Sequence, residues 1–143
     1  MCLDRLAEFR VTKDYGWQVF GKSKTGLVQL YHHPFQRHPT LVTEGTWQAD
    51  SNGYFLRSYS CIFVKYYKTG FHLFTNKKDA LRFASASNGG VIRKVRFRNL
   101  VAKGRQRLPS HRSYPSREAN VIVVRERFVE PETKREESKN VSR

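Results

Sequence analysis

The chain has 143 residues, 38% of them hydrophobic and 13% aromatic, and a formal net charge of +15. That length sets a single domain with a modest core, and the aromatic share excludes wholesale disorder because there is ample apolar surface to bury. No apolar stretch approaches a bilayer span, and Met1-Cys2-Leu3-Asp4-Arg5 has no charged segment leading into an apolar run; a soluble, cytoplasmic protein without membrane attachment is expected.

In chain order, Phe9–Phe20 (FRVTKDYGWQVF) is broken at Tyr15-Gly16 into two pieces rich in β-branched and aromatic residues. The second piece predicts a strand over Trp17–Lys22, and the Ser23-Lys24-Thr25-Gly26 turn carries it into a second strand over Leu27–His32. Residues 33–53 hold two prolines, Gly45 and an Asp50-Ser51-Asn52-Gly53 turn. They read as loop with a short strand near Thr46–Ala49. Tyr54–Tyr67 (YFLRSYSCIFVKYY) has the aromatic and β-branched content of one strand or two. Thr69-Gly70 turns into a short strand, Phe71–Phe74. Thr75 or Asn76 then caps a helix with Asp79 in its first turn and Ala80, Leu81, Phe83 and Ala84 on its apolar face, and Asn88-Gly89-Gly90 stops it.

Val91–Lys103 alternates. Val91, Val95 and Phe97 fall on one side, and Lys94, Arg96 and Arg98 on the other. Gly104–Arg117, with two prolines, reads as loop. Asn120–Phe128 reads as a last, central strand, and Glu130–Arg143 as a frayed charged tail. The expected architecture is an α+β domain over residues 1–129: a curved antiparallel sheet of about six strands with one main helix packed on it, followed by a disordered tail over 130–143.

The charge is segregated. Between Asp50 and Glu118 fifteen Lys and Arg face one acid, Asp79, so that stretch carries +14 of the +15. Like charge so concentrated repels itself on folding, and an anionic partner relieves that repulsion. Lys94, Arg96 and Arg98 stand about 7 Å apart along a strand, a spacing suited to tracking a phosphate backbone. With Arg93, Lys103, Arg105, Arg107, His111, Arg112, Tyr114 and Arg117 they form the candidate nucleic-acid site, in which His111 and Tyr114 offer rings for stacking on unpaired bases. Seven of the nine cations in residues 91–117 are Arg, which favours bidentate phosphate contact.

Other chemistry is poorly represented. His32, His33, His38 and Cys61 match no metal-ligand spacing, and Cys2 and Cys61 make no disulfide framework. The chain lacks a nucleophile elbow, a Walker loop and a GxGxxG motif. Neither a metal nor a cofactor is expected, and His72 reads as a strand histidine with one hydrogen bond.

The segment GFHLFTNKKDALRFA, then a Gly-rich break, then VIRKVRFRNLVAKG, over Gly70–Gly104, resembles a group of small phage and bacterial proteins with a GFHxF, helix, strand core. That resemblance implies a phage-type accessory protein acting on host machinery such as a CRISPR effector or a polymerase. The same segment also resembles ADP-ribosyltransferases, with Phe71-His72 and Glu118 at the matching places, though it lacks that family's Tyr after Gly70 and its Ser-Thr-Ser strand. The expected function is a non-enzymatic binding module for RNA, DNA or a host nucleoprotein complex. The alternatives are an NAD-using transferase and an inhibitor docking on an acidic host protein, with Tyr54, Phe55, Tyr59, Tyr66 and Tyr67 as anchors.

Overall fold

The computed structural model describes residues 3–29, 42–50, 55–57, 66–68, 70–86, 90–108 and 117–132. Within them lie nine strands and one helix: β1 Arg5–Leu6, β2 Tyr15–Ser23, β3 Gly26–Gln29, β4 Trp47–Ala49, β5 Phe55–Arg57, β6 Tyr66–Lys68, β7 Phe71–Phe74, α1 Lys77–Ala86, β8 Val91–Arg107 and β9 Glu118–Val129. The fold is α+β. Seven strands form one antiparallel sheet in the order β1-β8-β2-β7-β9-β4, with β3 paired to β2, and β5 and β6 pair separately.

The sheet closes on itself. β8 pairs with β2, β2 with β7, β7 with β9, and β9 again with β8. A ring of four strands has no room for a helix inside, so α1 packs outside and the ring interior fills with side chains alone. Phe20, Leu27, Leu73, Val95, Ile122, Val124 and Val129 form that inner cluster, joined by Val91 and Phe97. Outside, Ala80, Phe83 and Ala84 of α1 pack on Val19, Phe74, Val121 and Val123, and the cluster continues to Leu3, Tyr67 and Leu108. The rings of Phe74 and Phe83 meet at 5.4 Å. Asn76 caps α1 by accepting a hydrogen bond from Lys78 N–H through Oδ1 at 2.8 Å, which satisfies one of the open amides of the first turn.

β9 is central, as its apolar start predicts: Val121, Ile122, Val123 and Val124 are all fully buried between β7 and β8. β8 differs from the sequence expectation. It continues as a strand through Arg107, so 104–107 is not loop. Gly104 explains the extension. A Cβ there would collide with the Arg5 carbonyl and the Leu3 side chain, so the missing side chain lets β1 pair against β8. The two-residue β1 has no periodicity to betray it. Asn99, at φ 61, sits beside a register shift in the β8–β9 ladder between Leu100 and Ala102, the local twist that lets one long strand serve two partners. Past β9, Glu130 N–H donates to the Lys94 carbonyl and Glu132 pairs with Arg93 at 3.2 Å, so packing persists three residues beyond the sheet.

Candidate nucleic-acid interface

Cross-strand register places a row of rings and cations, with one acid among them, on the helix-bearing face of the sheet, running away from the start of α1. Trp17 lies opposite Lys94, and Tyr15 opposite Arg96. Arg96 lies opposite Phe128 and Arg98 opposite Glu126 on the next strand. Phe128 in turn lies opposite Trp47 of β4. Directly opposed residues of antiparallel strands share a face, and Ile92, two residues before Lys94, packs into the outer cluster. The row therefore crosses β2, β8, β9 and β4, about 14 Å at ordinary strand spacing.

Rings and cations alternate along it. The Lys77 ammonium sits 5.1 Å from the Trp17 ring centre, and Tyr15 meets Trp17 edge-on at 6.4 Å. Lys94 and Lys13 stand 4.2 and 5.2 Å from the Tyr15 ring. The Arg96 guanidinium is 5.8 Å from Phe128, Phe128 is 5.6 Å from Trp47, and the Arg98 guanidinium lies 3.7 Å over Trp47. Arg96 and Arg98 are exposed, and Trp47 keeps 37% of its surface in water. Each exposed cation–π contact contributes roughly 0.5–1 kcal/mol, so the contacts hold the side chains in place without hiding their charge. Glu126 is the acid within the row. It pairs with Arg98 at 3.5 Å and accepts a hydrogen bond from the Asn99 amide at 2.7 Å. Asp14 and Glu130 adjoin the row in the chain.

The remaining candidate residues divide. Arg93 points to the opposite face, where Glu44 and Glu132 hold it at 3.3 and 3.2 Å. Past the register shift, Ala102 and Gly104 face the outer cluster, which turns Lys103, Arg105 and Arg107 away from the Lys94 row. Lys103 donates to the Phe9 carbonyl at 3.1 Å and lies 3.7 Å from Glu8. Arg105 faces Arg5 across the β1–β8 pair, and its Nε is buried without a hydrogen-bond partner. Arg107 is exposed at the strand end, where its N–H donates to the Asp4 carboxylate. Arg117 holds Asp79 at 2.6 Å; burial pushes the Asp79 carboxyl above its ordinary range, and Arg117 and Arg82 offset only part of that. His111, Arg112 and Tyr114 lie outside the described residues. The structure thus joins Lys94, Arg96 and Arg98 and separates them from the described cations of 103–117.

Tyr15, Trp17, Trp47, Phe128, Lys13 and Lys77 were absent from the sequence expectation. Their one local signal is the period-two spacing of Tyr15 and Trp17. Partnership with Phe128 and Trp47, thirty or more residues away on other strands, exists only in the folded register.

Comparison with protein-family models, with curated proteins and with solved structures finds nothing that matches this chain. Among the described residues no helix is long and apolar enough to cross a membrane, and no group of three or more His, Cys, Asp or Glu is placed to hold a metal ion. His32, His33, His38 and Cys61 lie outside those residues.

Phe71, His72 and Glu118, the positions set against ADP-ribosyltransferases in the sequence, all have partners within the fold, Phe71 against the inner cluster. Glu118 accepts hydrogen bonds from Arg5 Nε and Nη2 at 3.0 and 2.8 Å. His72 is buried, in a chain of hydrogen bonds with one consistent direction. Leu3 N–H donates to the Tyr67 hydroxyl at 2.8 Å, that hydroxyl donates to His72 Nε2 at 3.1 Å, and His72 Nδ1–H donates to the Gly70 carbonyl at 3.2 Å. Burial lowers the His72 pKa to about 3, and the Gly70 carbonyl offsets only part of that shift. Tyr67, one of the candidate protein-docking anchors, is spent on this chain and on the outer core; the side chains of Tyr54, Phe55, Tyr59 and Tyr66 lie outside the described residues.

Proposed function

We propose that this protein is a basic, phage-type accessory module that binds nucleic acid, free or within a host nucleoprotein complex, through the Lys94–Arg96–Arg98 face. One observation carries the reading. In a chain of net charge +15, strand register sets Lys94, Arg96 and Arg98 against rings on one face, and Lys13, just before β2, and Lys77, at the start of α1, meet rings of the same row. Charge placed on rings and left in water costs less to bring to phosphate than charge spent in salt bridges. Arg93 and Arg117 are held closely by carboxylates, at 3.2 and 2.6 Å, whereas Arg98 lies over Trp47 and meets Glu126 at the longer distance of 3.5 Å.

The test is purification without nuclease. The wild-type protein should carry a raised ratio of absorbance at 260 to 280 nm that falls after a high-salt wash. The exposed double variant Arg96→Glu, Arg98→Glu should come out clean while remaining folded. A clean wild-type spectrum at low salt, with a cellular complex that survives nuclease, would move the face to an acidic protein partner and overturn the nucleic-acid reading.

A further inference from the structure

The first clue to the ligand's form lies at the β2 end of the row. An open cleft of about 490 Å³ is bounded by the segment before β2 and the start of α1, within the size range of small-ligand sites. Its walls include Arg10, Lys13, Tyr15, Trp17, Asn76 and Lys77, and none of the residues lining it is acidic. Four of these, Lys13, Tyr15, Trp17 and Lys77, are also members of the row, so cleft and row are one continuous surface. The cleft is walled by three rings (Phe9, Tyr15 and Trp17), three cations and two side-chain amides (Asn76 and Asn120), beside the smaller side chains of Val11, Thr12, Thr75 and Ile122. That set matches an unpaired nucleotide, whose base stacks, whose phosphate pairs with cations and whose edge hydrogen-bonds to amides.

A duplex fits this surface badly. Base faces are covered inside a double helix, so Trp17, Tyr15, Phe128 and Trp47 would gain no stacking partner. The cations are also interleaved with rings instead of forming a ridge that meets two phosphate chains across a groove. Single-strand sites combine a basic track with stacking platforms, and guanidinium planes serve as platforms as rings do. Arg98 lying over Trp47 at 3.7 Å is such a plane, already stacked.

We infer that the cleft beside Tyr15 and Trp17 takes one unpaired nucleotide and that the row through Arg96, Phe128 and the Arg98–Trp47 stack carries the following bases of a single strand. This deepens the proposed function and rests on it.

Trp17 and Trp47 are the two tryptophans of the chain, and both belong to the row, so intrinsic fluorescence reads the site directly. The experiment titrates the full-length protein at low salt with an octamer of oligo(dT), an octamer of oligo(U) and a mixed-sequence duplex of similar length. Tryptophan emission gives stacking, and anisotropy of labelled strands gives affinity. Saturable quenching by either octamer, with the duplex binding at least about ten-fold more weakly, is expected; the two octamers separate DNA from RNA as the source of the unpaired bases. Stacking on one ring is worth about 1–3 kcal/mol per base, so Tyr15→Ala and Trp47→Ala should each weaken octamer binding about five-fold or more, and Tyr15→Phe should restore it. Trp47 sits on β4, which ends the strand order, so its replacement spares the core. Duplex and octamers binding equally, with unchanged emission, would overturn the single-strand inference and leave the nucleic-acid reading standing. If no strand binds, both fall.

Discussion

Acid should destabilise this domain through one histidine. His72 is buried with Nε2 accepting from Tyr67 and Nδ1–H donating to Gly70, and its pKa falls from an ordinary 6.5 to about 3. The unfolded chain binds a proton near pH 6.5 and the folded chain does not, so stability is lost as pH drops below 6.5 and the loss stops growing only near pH 3. At pH 5 the penalty depends on the unfolded pKa and hardly on the folded one, because the folded pKa lies far below 5. The factor is about 1 + 10^1.5, or about 2 kcal/mol. The raised Asp79 pKa acts in the opposite direction, since a carboxyl that takes its proton more readily when folded is relieved by acid. A direct comparison therefore needs His72→Gln, whose amide offers one acceptor and one donor without titrating. Urea denaturation at pH 7 and pH 5 should show the wild type losing about 2 kcal/mol more than the variant between the two conditions. Equal losses, or a His72 resonance titrating near pH 6.5 by NMR, would refute the buried neutral imidazole.

Three further outcomes are expected. Gly104→Val should detach β1 by forcing a side chain into the Arg5 carbonyl and Leu3, costing about 1–3 kcal/mol in denaturant midpoint; an unchanged midpoint would contradict the β1–β8 pairing. Arg127→Ala should cost about 3 kcal/mol by the same measurement. The buried guanidinium donates to the side-chain carbonyls of Gln18, Gln29 and Gln48 at 2.9, 2.8 and 3.3 Å and lies 4.0 Å over Phe71, and truncation would take these hydrogen bonds away, including the one to the buried Gln18 carbonyl. Burial lowers the Arg127 pKa to about 10, so it stays charged at neutral pH. Arg107→Glu, on the face turned away from the row, should weaken octamer binding much less than Arg96→Glu; equal losses would return the loop-side cations to the site.

The residues that fill the core were legible because their periodicity is local. Val91, Val95 and Phe97 alternate with Lys94, Arg96 and Arg98, and the fold keeps that division. Phe71–Phe74, the helix behind its Asn76 cap and the central last strand follow from the same kind of local pattern. What the sequence hides is set by register and by single backbone events. Gly104 reads as a loop residue until Leu3 and Arg5 are seen lying against it, and the shift near Asn99 turns Lys103, Arg105 and Arg107 away from the cations that precede them. Arg127, which reads as one more surface cation in VVRERF, is 4% exposed because β9 changes which residues face inward after Val124. The ring partners of Lys94, Arg96 and Arg98 come from three other strands, and nothing in a one-dimensional pattern joins them.

The central claim is that Lys94, Arg96 and Arg98, with Lys13 and Lys77, meet phosphate on one face. The most direct measurement is the salt dependence of octamer affinity for the wild type and for Arg96→Glu, Arg98→Glu. Five cations engaged by a single strand set a log-log slope of about −3.5, and losing two should bring it to about −2 with a large fall in affinity. A wild-type slope near zero, or one that the double variant leaves unchanged, would contradict the assignment of this face to nucleic acid.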